Sequence, residues 1–510
     1  MAFLLPVVQN TLKSLEAEPR VTNRRSVSSK DIRSIIISPT RELAEQIAHE
    51  AEKITRGTGV IVQAAVGGTQ KREKLQAIRR EGCHLLVGTP GRLKDILSDP
   101  MSGVEAPKLS SFVLDEADRL LDDGFAPDIA EITQLLPNRK HVDRQTLLFS
   151  ATVPKEVMSV VRQTMKHDFN FVKTVRDDEV PTHMRVPQKA VILNGLENAL
   201  PAVLELAKNY SAQWEQDRSQ LPFKAIVYFN STNEVAMAHE VFRKLREEWR
   251  FDRTMGKLSV FELHSRLTQH RRTKMADFFR KVQSGILLSS DVSARGMDFP
   301  NVSHVIQIGV PQDTPAYIHR LGRTGRANKS GEGWIMIHKQ EMSRFKRQLS
   351  ELPIQFDQTS LATSQVDMTQ GAPEDNSAAA GVVKEMSDAM IKVPDEMKDA
   401  AYMSQLGTLG KAFTTKESMI EALNDLAIYG YGLPEPPYIS PALLSKIGVS
   451  SGGSSNNNRG SRSSSRTPQR NDRSRFGGMR DDRFRFHQDR RDRYRSNERG
   501  TPHWMGRGRR

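Results

Sequence analysis

The sequence has a single cysteine, Cys83, and this scarcity rules out a disulfide bond within the chain. One thiol in 510 residues is typical of a reducing compartment or the mitochondrial matrix and argues against secretion. Uninterrupted apolar runs of about 18 residues, which a transmembrane helix needs, are also missing, so we expect no membrane partner. Hydrophobic residues still make up 37% of the chain, enough for the cores of about three or four domains.

Net charge is scarce in the first 450 residues, which carry only +3 of the total of +14. Residues 451–510 contain 17 arginines, no lysine and 6 acidic residues, a net charge of +11. Such a segment predicts a tail that binds polyanions, and its Ser, Gly, Asn and Arg content predicts disorder from residue 450. The alternative is a solubilising tail. Aromatic residues that could stack on bases interleave with the arginines: Phe476, Phe484, Phe486 and Tyr494.

Short apolar runs alternate with helix-like stretches through the first 350 residues. Runs such as SIII, LLVG and SFVL are separated by amphipathic segments such as RELAEQIAHEAEKI. Near-continuous apolar strands between helices predict parallel sheets covered on both faces. A polar segment with two prolines, 174–189, divides the pattern into two similar α/β units.

We therefore predict an α/β fold with domains at 1–173 and 190–350, joined by a linker over 174–189. The strands are expected to stop near residue 350. Two stretches, KESMIEALNDLAIYGYG and SPALLSKIGV, predict a helical extension over 351–449, with Ser440 as an N-cap. The acidic, Ala- and Gly-rich stretch 366–382 is interpreted as a loose connection.

The stretch FVLDEAD places Asp115 and Glu116 directly after an apolar strand. Ligands of open parallel sheets bind at the carboxyl ends of the strands. A carboxylate there can hold Mg²⁺, usually through water, against nucleotide phosphates, and a second can orient and deprotonate the attacking water. The simpler interpretation is an acidic helix start, which the helix dipole favours.

The stretch HRLGRTGR, 319–326, places Arg323 and Arg326 three residues apart. That spacing directs both guanidinium groups to one side, as binding of phosphate oxygens requires. A solvated basic helix face is the alternative, but two interleaved glycines would weaken such a helix.

Several short motifs occur in one order between residues 39 and 326: PTRELAEQ, GG, TPGRL, DEAD, SAT, a pair at Gln269 and Arg272, ARGMD and HRLGRTGR. In this order they resemble the DEAD-box RNA helicases, a superfamily 2 family with two tandem RecA-like domains. The resemblance spans residues 1 to about 350. It implies ATP and Mg²⁺ as cofactors and RNA, single-stranded or in short duplexes, as a partner bound largely without regard to sequence.

The resemblance also implies roles for the nucleotide-site residues. Asp115 and Glu116 would be the Mg²⁺-coordinating and water-activating pair, and Arg323 and Arg326 would be arginine fingers supplied by the second domain. Asp298 would contact the ribose. The remaining implied residues couple hydrolysis to strand separation or join the interdomain network: Ser150, Thr152 and His319.

RNA would lie across both domains, on the face opposite the nucleotide. The resemblance implies contacts in the first domain from Thr40, Arg41, Gly67, Gly68, Thr89, Gly91 and Arg92. In the second domain it implies Phe229, Thr232, Gln269, Arg272, Ser290 and Arg295. Closure around ATP would then assemble a surface that bends one strand and excludes its partner, so that a short duplex opens locally.

The family's phosphate-binding loop, GxxxxGK[ST], and its glutamine motif do not occur in the 510 residues. In the family a run like AFLLPVV, which we predict to be a buried helix, follows that loop. The strand before the loop belongs inside the first sheet, so we expect this sheet to be incomplete, with neighbouring strands short of ladder partners. The expectation is an N-terminally truncated helicase or incomplete gene model with an unstable first domain and negligible ATP turnover. A non-catalytic RNA-binding scaffold is the alternative.

A helical extension followed by a basic tail is similar to the architecture of fungal mitochondrial DEAD-box RNA chaperones, which assist intron splicing and translation. This similarity implies a monomeric RNA chaperone in the mitochondrial matrix. A nucleolar or cytoplasmic location remains open. A DNA helicase of the same superfamily would share the fold, but the spellings of the motifs favour the RNA family.

Overall fold

The computed structural model gives coordinates for the whole chain. Its described residues are 2–17, 27–67, 71–122, 124–138, 141–150, 155–173, 182–293, 297–326, 330–370, 377 and 379–448. The predicted basic tail, the first half of the predicted linker, Gly68, Thr152 and Arg295 lie outside these residues.

The first domain is a parallel sheet with helices on both faces, as the alternating sequence pattern predicts. Its strands follow the order β2-β3-β1-β4-β5. The central strand β1 (Ser34–Ile37) is buried at every position, because Ile35 and Ile37 pack in the apolar cluster on one face and Ile36 packs in the cluster on the other. The other elements are α1 Leu4–Glu16, α2 Arg41–Ile54, β2 Val62–Ala65, α3 Lys71–Glu81, β3 Leu85–Gly88, α4 Pro90–Leu97, β4 Ser111–Leu114, α5 Ala117–Asp122, α6 Ala126–Leu135, β5 Gln145–Leu148 and α7 Lys155–Thr164.

The predicted buried helix at the start of the chain is confirmed. Leu4 and Val7 of α1 are fully buried, and the ring of Phe3 lies 5.1 Å from that of Phe149. Among the described strands, β1, β3 and β4 pair on both sides, whereas β5 pairs with β4 alone, so the expected shortage of ladder partners falls on β5. Strand β5 lies at an edge, and its residues are exposed or half-buried.

The second domain contains a larger parallel sheet of order β12-β6-β11-β10-β7-β9-β8. Strands β7 and β9 are buried at every position, because helices cover both faces of the sheet. The elements are α8 Thr182–Arg185, β6 Gln188–Leu193, α9 Ala199–Gln216, β7 Lys224–Tyr228, α10 Thr232–Glu248, β8 Ser259–Leu263, α11 Gln269–Lys281, β9 Gly285–Ser289, β10 His304–Ile308, α12 Thr314–Leu321, β11 Glu332–His338, α13 Met342–Leu349 and β12 Ile354–Phe356.

Two domain boundaries predicted from the sequence are wrong. Strand β6 begins at Gln188, inside the predicted linker, because its first residues pair with β11. Strand β12 follows residue 350, where strands were expected to stop, and it pairs with β6 at the edge of the second sheet. Gln355 and Phe356 are exposed there, so the apolar alternation that identifies a buried strand is missing.

The helical extension comprises α14 Ala380–Ile391, α15 Asp395–Leu409, α16 Lys416–Asp425, a π-helical turn over Leu426–Gly430 and α17 Pro441–Ile447. The predicted cap is confirmed, since the Ser440 hydroxyl accepts from the Leu443 N–H at 3.3 Å. The extension is not a separate unit, because Met390 and Tyr402 share one apolar core with Val203 and Phe242 of the second domain. Within the described ranges, no helix is long and apolar enough to cross a membrane.

Replacing Met390, which is 2% exposed in the shared core, with alanine should destabilise the second domain by about 2–5 kcal/mol. The matched control is its neighbour Ile391→Ala, because Ile391 is 69% exposed and its loss should have little effect. Denaturant unfolding followed by hydrogen exchange in α10 would measure both. If Met390→Ala weakened only the extension and left the exchange of α10 unchanged, the core would not be shared.

Candidate nucleotide site and RNA interface

The acidic pair of the first domain sits at the carboxyl end of β4. Hydrogen bonds on both sides hold it there: the Asp115 N–H donates to Ile37 O at 3.0 Å, and the Ala117 N–H donates to Phe149 O at 2.9 Å. Glu116 adopts a left-handed backbone conformation with φ of 51°, which a glutamate rarely does. Backbone strain of this kind is typical of functional turns and directs the two neighbouring carboxylates differently.

Burial raises the pKa of Asp115 to about 6, and the nearby Asp118 carboxylate acts in the same direction. The Glu116 N–H partly offsets this by donating to the Asp115 carboxylate at 3.1 Å. A partly desolvated carboxylate at a sheet edge fits a divalent cation, because a bound cation would stabilise its ionised form.

Polar contacts join the two domains beside this pair. The His319 imidazole lies 3.5 Å from the Asp118 carboxylate, and both side chains are buried. Asp118 is oriented in turn by its N–H, which donates to the Ser150 hydroxyl at 3.2 Å. The Arg119 guanidinium donates to Asp291 O of the second domain at 3.4 Å. The start of α5 therefore faces HRLGRTGR directly.

The two predicted arginine fingers follow the end of α12. The Arg323 guanidinium donates to His319 O at 3.3 Å and to Met297 O, and Arg326 forms an ion pair with Asp298. Burial lowers the pKa of Arg323 to about 10, and Arg326 adds to the effect, while the Glu116 carboxylate opposes it. The charge of Glu116 therefore acts on Arg323 across the domain boundary.

Arg320, which we did not single out from the sequence, is the most buried arginine of HRLGRTGR. It is 1% exposed and lies over the Tyr228 ring at 5.3 Å. Its guanidinium donates to Asp291 Oδ1 at 2.7 Å and to Asn230 Oδ1 at 3.2 Å. Arg320 therefore connects the loops after β7 and β9. Its place in an arginine-rich motif was the one feature of the sequence that could have indicated this role.

The predicted RNA residues of the first domain follow β1, β2 and β3. Thr40 caps α2 by accepting from the Leu43 N–H at 3.3 Å, and the Arg41 guanidinium lies so close to Gly67 that a Cβ there would meet it at 2.8 Å. The remaining residues, Thr89, Gly91 and Arg92, are half-buried at the start of α4. The structure brings these loops together because β2, β3 and β1 are neighbours.

In the second domain, Thr232 is the first residue of α10, after β7, and Ser290 follows β9; both are half-buried. Phe229 is 3% exposed and its side chain lies in the core, so an RNA contact there would have to use its backbone. Helix α15 braces this loop, since Ser231 and Ser404 share a hydrogen bond of 2.8 Å and the Asn233 amide donates to Ala400 O at 3.0 Å.

Gln269 and Arg272 contact the first domain. Arg272 forms a buried ion pair of 2.8 Å with Glu42 of α2, and the Gln269 amide donates to Glu42 at 3.2 Å and to Glu45 at 3.3 Å. The Thr273 hydroxyl donates to Glu45 at 3.4 Å. We call these five residues the interdomain clasp. The sequence did not reveal it, because Glu42 and Gln269 are 227 residues apart.

Both domains match helicase family descriptions. Residues 1–160 match "DEAD/DEAH box helicase", and residues 208–328 match "Helicase conserved C-terminal domain". A two-domain helicase core is therefore the class that the fold and the site define.

The chain is similar to curated proteins and solved structures over most of its length. The mitochondrial ATP-dependent RNA helicase mss116 of Aspergillus fumigatus is 55% identical over 449 residues, which are 88% of this chain and 68% of that protein. The mitochondrial ATP-dependent RNA helicase cyt-19 of Neurospora crassa is 46% identical over 452 residues, 88% and 70% of the two chains. A structure of Mss116p bound to ssRNA and AMP-PNP has a TM-score of 0.70 at 28% identity and covers 88% of this chain and 83% of that one. The chain belongs to the DEAD-box family of ATP-dependent RNA helicases.

Asp115→Asn should change how stability depends on pH. A carboxyl with a pKa of about 6 when folded and about 3.9 when unfolded takes up protons on folding, so the parent should lose stability as pH rises through that window. The variant lacks this titration and should be more stable than the parent at pH 7, by about 2–3 kcal/mol.

Urea unfolding of the nucleotide-free protein at several pH values, without divalent cations, would measure the difference. Asp168→Asn is the control, because Asp168 is an exposed carboxylate of the same domain. Parallel stability curves for the parent and Asp115→Asn would contradict the assigned environment of Asp115.

Proposed function

We propose that this protein is an ATP-dependent RNA helicase and RNA chaperone that opens short duplexes by closing its two domains. The observation that carries the proposal is the set of groups meeting at the domain boundary, where the Asp118 carboxylate lies 3.5 Å from His319 and the charge of Glu116 acts on the pKa of Arg323. A nucleotide bound after β4 would be approached by groups from both domains.

ATP would bind along the carboxyl end of the first sheet, with Asp298 on its ribose. Asp115 would hold Mg²⁺ through water, and this ion would neutralise charge on the phosphates. Glu116 would orient and deprotonate the attacking water. Arg323 and Arg326 would exchange their present partners, Met297 O and Asp298, for oxygens of the γ-phosphate and so stabilise its charge in the transition state.

RNA would lie across the loops after β1, β2 and β3 and the loops after β7 and β9. Gly67 and Gly91 lack side chains, which allows phosphates close to the backbone, and Arg92 supplies charge. Contacts of this kind go to phosphates and 2′-hydroxyls and therefore tolerate many sequences. The relative bound to ssRNA and AMP-PNP supports this assignment of ligands.

Two relatives carry "mitochondrial" in their names, which supports a mitochondrial location. We propose the matrix as the compartment and structured introns as one class of RNA substrate. The single cysteine, Cys83, is buried and fits a reducing compartment, although it does not distinguish the matrix from the cytosol or nucleolus.

Glu116→Gln should abolish RNA-stimulated ATP hydrolysis while leaving RNA binding unchanged, because it removes a proton acceptor and conserves shape. We expect a loss of about 100-fold or more in kcat, the scale of general-base catalysis. The measurement uses protein purified from its native source with a C-terminal tag, and Glu105→Gln is the control because Glu105 is exposed. RNA binding without any RNA-stimulated hydrolysis by the parent would instead favour the non-catalytic scaffold.

Deleting 451–510 should weaken RNA affinity at low salt and spare basal ATP hydrolysis. The deletion removes a net charge of +11 that would bind phosphates without sequence preference. A plot of the logarithm of affinity against that of salt concentration should lose about 0.7 of slope for each phosphate contact removed. An unchanged slope would assign the segment a role other than RNA binding.

A further inference from the structure

A buried glutamate outside both proposed sites has three basic neighbours. Glu262 lies on the edge strand β8 with its side chain 7% exposed. Its Oε1 accepts from Arg271 at 2.8 Å, and its Oε2 lies 3.2 Å from His264 Nε2. The His239 ring, from α10, lies 3.8 Å from the same carboxylate.

These neighbours keep Glu262 ionised. Burial alone would raise its pKa, but hydrogen bonding from His264 and the charges of the surrounding basic groups outweigh it and hold the pKa below its ordinary value. A buried carboxylate of this kind is stable only while its partners remain in place. The ion pair with Glu262 therefore fixes the orientation of the Arg271 side chain.

Arg271 lies on the first turn of α11, beside the residues of the interdomain clasp. Adjacent residues of a helix point about 100° apart, so Arg271 and Arg272 diverge. Arg271 turns back to Glu262 on β8, while Arg272 crosses to Glu42 of the first domain. The Thr268 hydroxyl caps the same turn by accepting from the Arg271 N–H at 3.3 Å.

Without Glu262, the guanidinium groups of Arg271 and Arg272 would both be available to the carboxylates of α2. Burial, together with repulsion from the Glu42 carboxylate, raises the pKa of Glu45. Because Arg271 forms its ion pair with Glu262 inside the second domain, Arg272 and Gln269 keep a defined orientation toward α2.

We propose that Glu262 is a positioning residue for domain closure: it holds Arg271, and so fixes the first turn of α11 such that Arg272 and Gln269 meet Glu42 in the interdomain clasp. It contacts neither nucleotide nor RNA in this role. The inference deepens the proposed function and rests on it, since it takes closure of the two domains to be the productive step.

The test is Glu262→Gln, which keeps the shape and removes the charge. The KM for RNA in RNA-stimulated ATP hydrolysis should rise by about tenfold, the effect of losing one member of a coupled ion-pair network. Basal hydrolysis without RNA should change little, and KM is measured well below the midpoint of thermal unfolding, because loss of a buried ion pair lowers that midpoint. The control is Glu240→Gln, which removes a carboxylate paired with Arg243 on α10.

A double-mutant cycle separates positioning from general destabilisation. If Glu262 acts through the clasp, Glu262→Gln should have little further effect in protein that already carries Glu42→Gln. An equal effect in both backgrounds would overturn the proposal. If Glu262→Gln fails to fold, Arg271→Gln tests the same connection, because the Arg271 side chain is 56% exposed. An unchanged KM for RNA in that variant would also overturn it.

Closure can be followed without relying on catalysis. Because Cys83 is buried, dyes can be placed at Glu52→Cys and Arg253→Cys, exposed positions of the two domains. With single-stranded RNA and AMP-PNP, energy transfer should show a smaller closed fraction for Glu262→Gln than for the parent. Equal closure of both proteins would defeat the Glu262 proposal alone, whereas a parent that does not close would defeat the proposed function as well.

Discussion

The parallel direction of every described strand pairing is the constraint on which the rest of the arrangement depends. It brings the loops that carry polar side chains to one edge of each sheet. The order of the strands then determines which of these loops lie next to one another along the edge. In the first sheet, the loops after β2, β3 and β1 adjoin one another and carry the proposed RNA contacts, whereas the loop after β4 carries Asp115 and Glu116. The sites proposed for RNA and for the nucleotide therefore share the carboxyl edge of this sheet, rather than lying on opposite faces as the resemblance implied.

The same division appears in the second domain, where β7, β9 and β8 are neighbours and HRLGRTGR follows β10. Arg320 connects the two parts, because its guanidinium reaches the loops after β7 and β9 from the end of α12. One buried side chain therefore separates Arg323 and Arg326, the proposed phosphate-binding arginines, from the proposed RNA loops. The helical extension stabilises the loop after β7, because Ser404 of α15 shares a hydrogen bond with Ser231.

The strands and the acidic and arginine-rich motifs were predictable because their signals are local: an apolar run of four or five residues followed by charge. The interdomain clasp was not, because helical periodicity makes Glu42 and Arg272 look like ordinary surface residues of α2 and α11. Glu262 escaped notice for a related reason, since a glutamate in an edge strand normally faces water. Strands β6 and β12 were misplaced because pairing with β11 and β6, rather than their own composition, defines their ends.

The contacts of the arginines and carboxylates at the domain boundary also explain why a nucleotide site without bound phosphate need not be energetically unfavourable. An unpaired buried guanidinium would be strongly unfavourable, but Arg326 is paired with Asp298 and Arg323 with carbonyl oxygens of its own domain. The proposed exchange of these partners for phosphate oxygens would replace one satisfied arrangement with another of higher charge. In the proposed function, the free energy that favours closure would be the difference between the two sets of partners, and it would be lost when the phosphate leaves. Reversibility of this kind is what a cycle of closing and reopening requires.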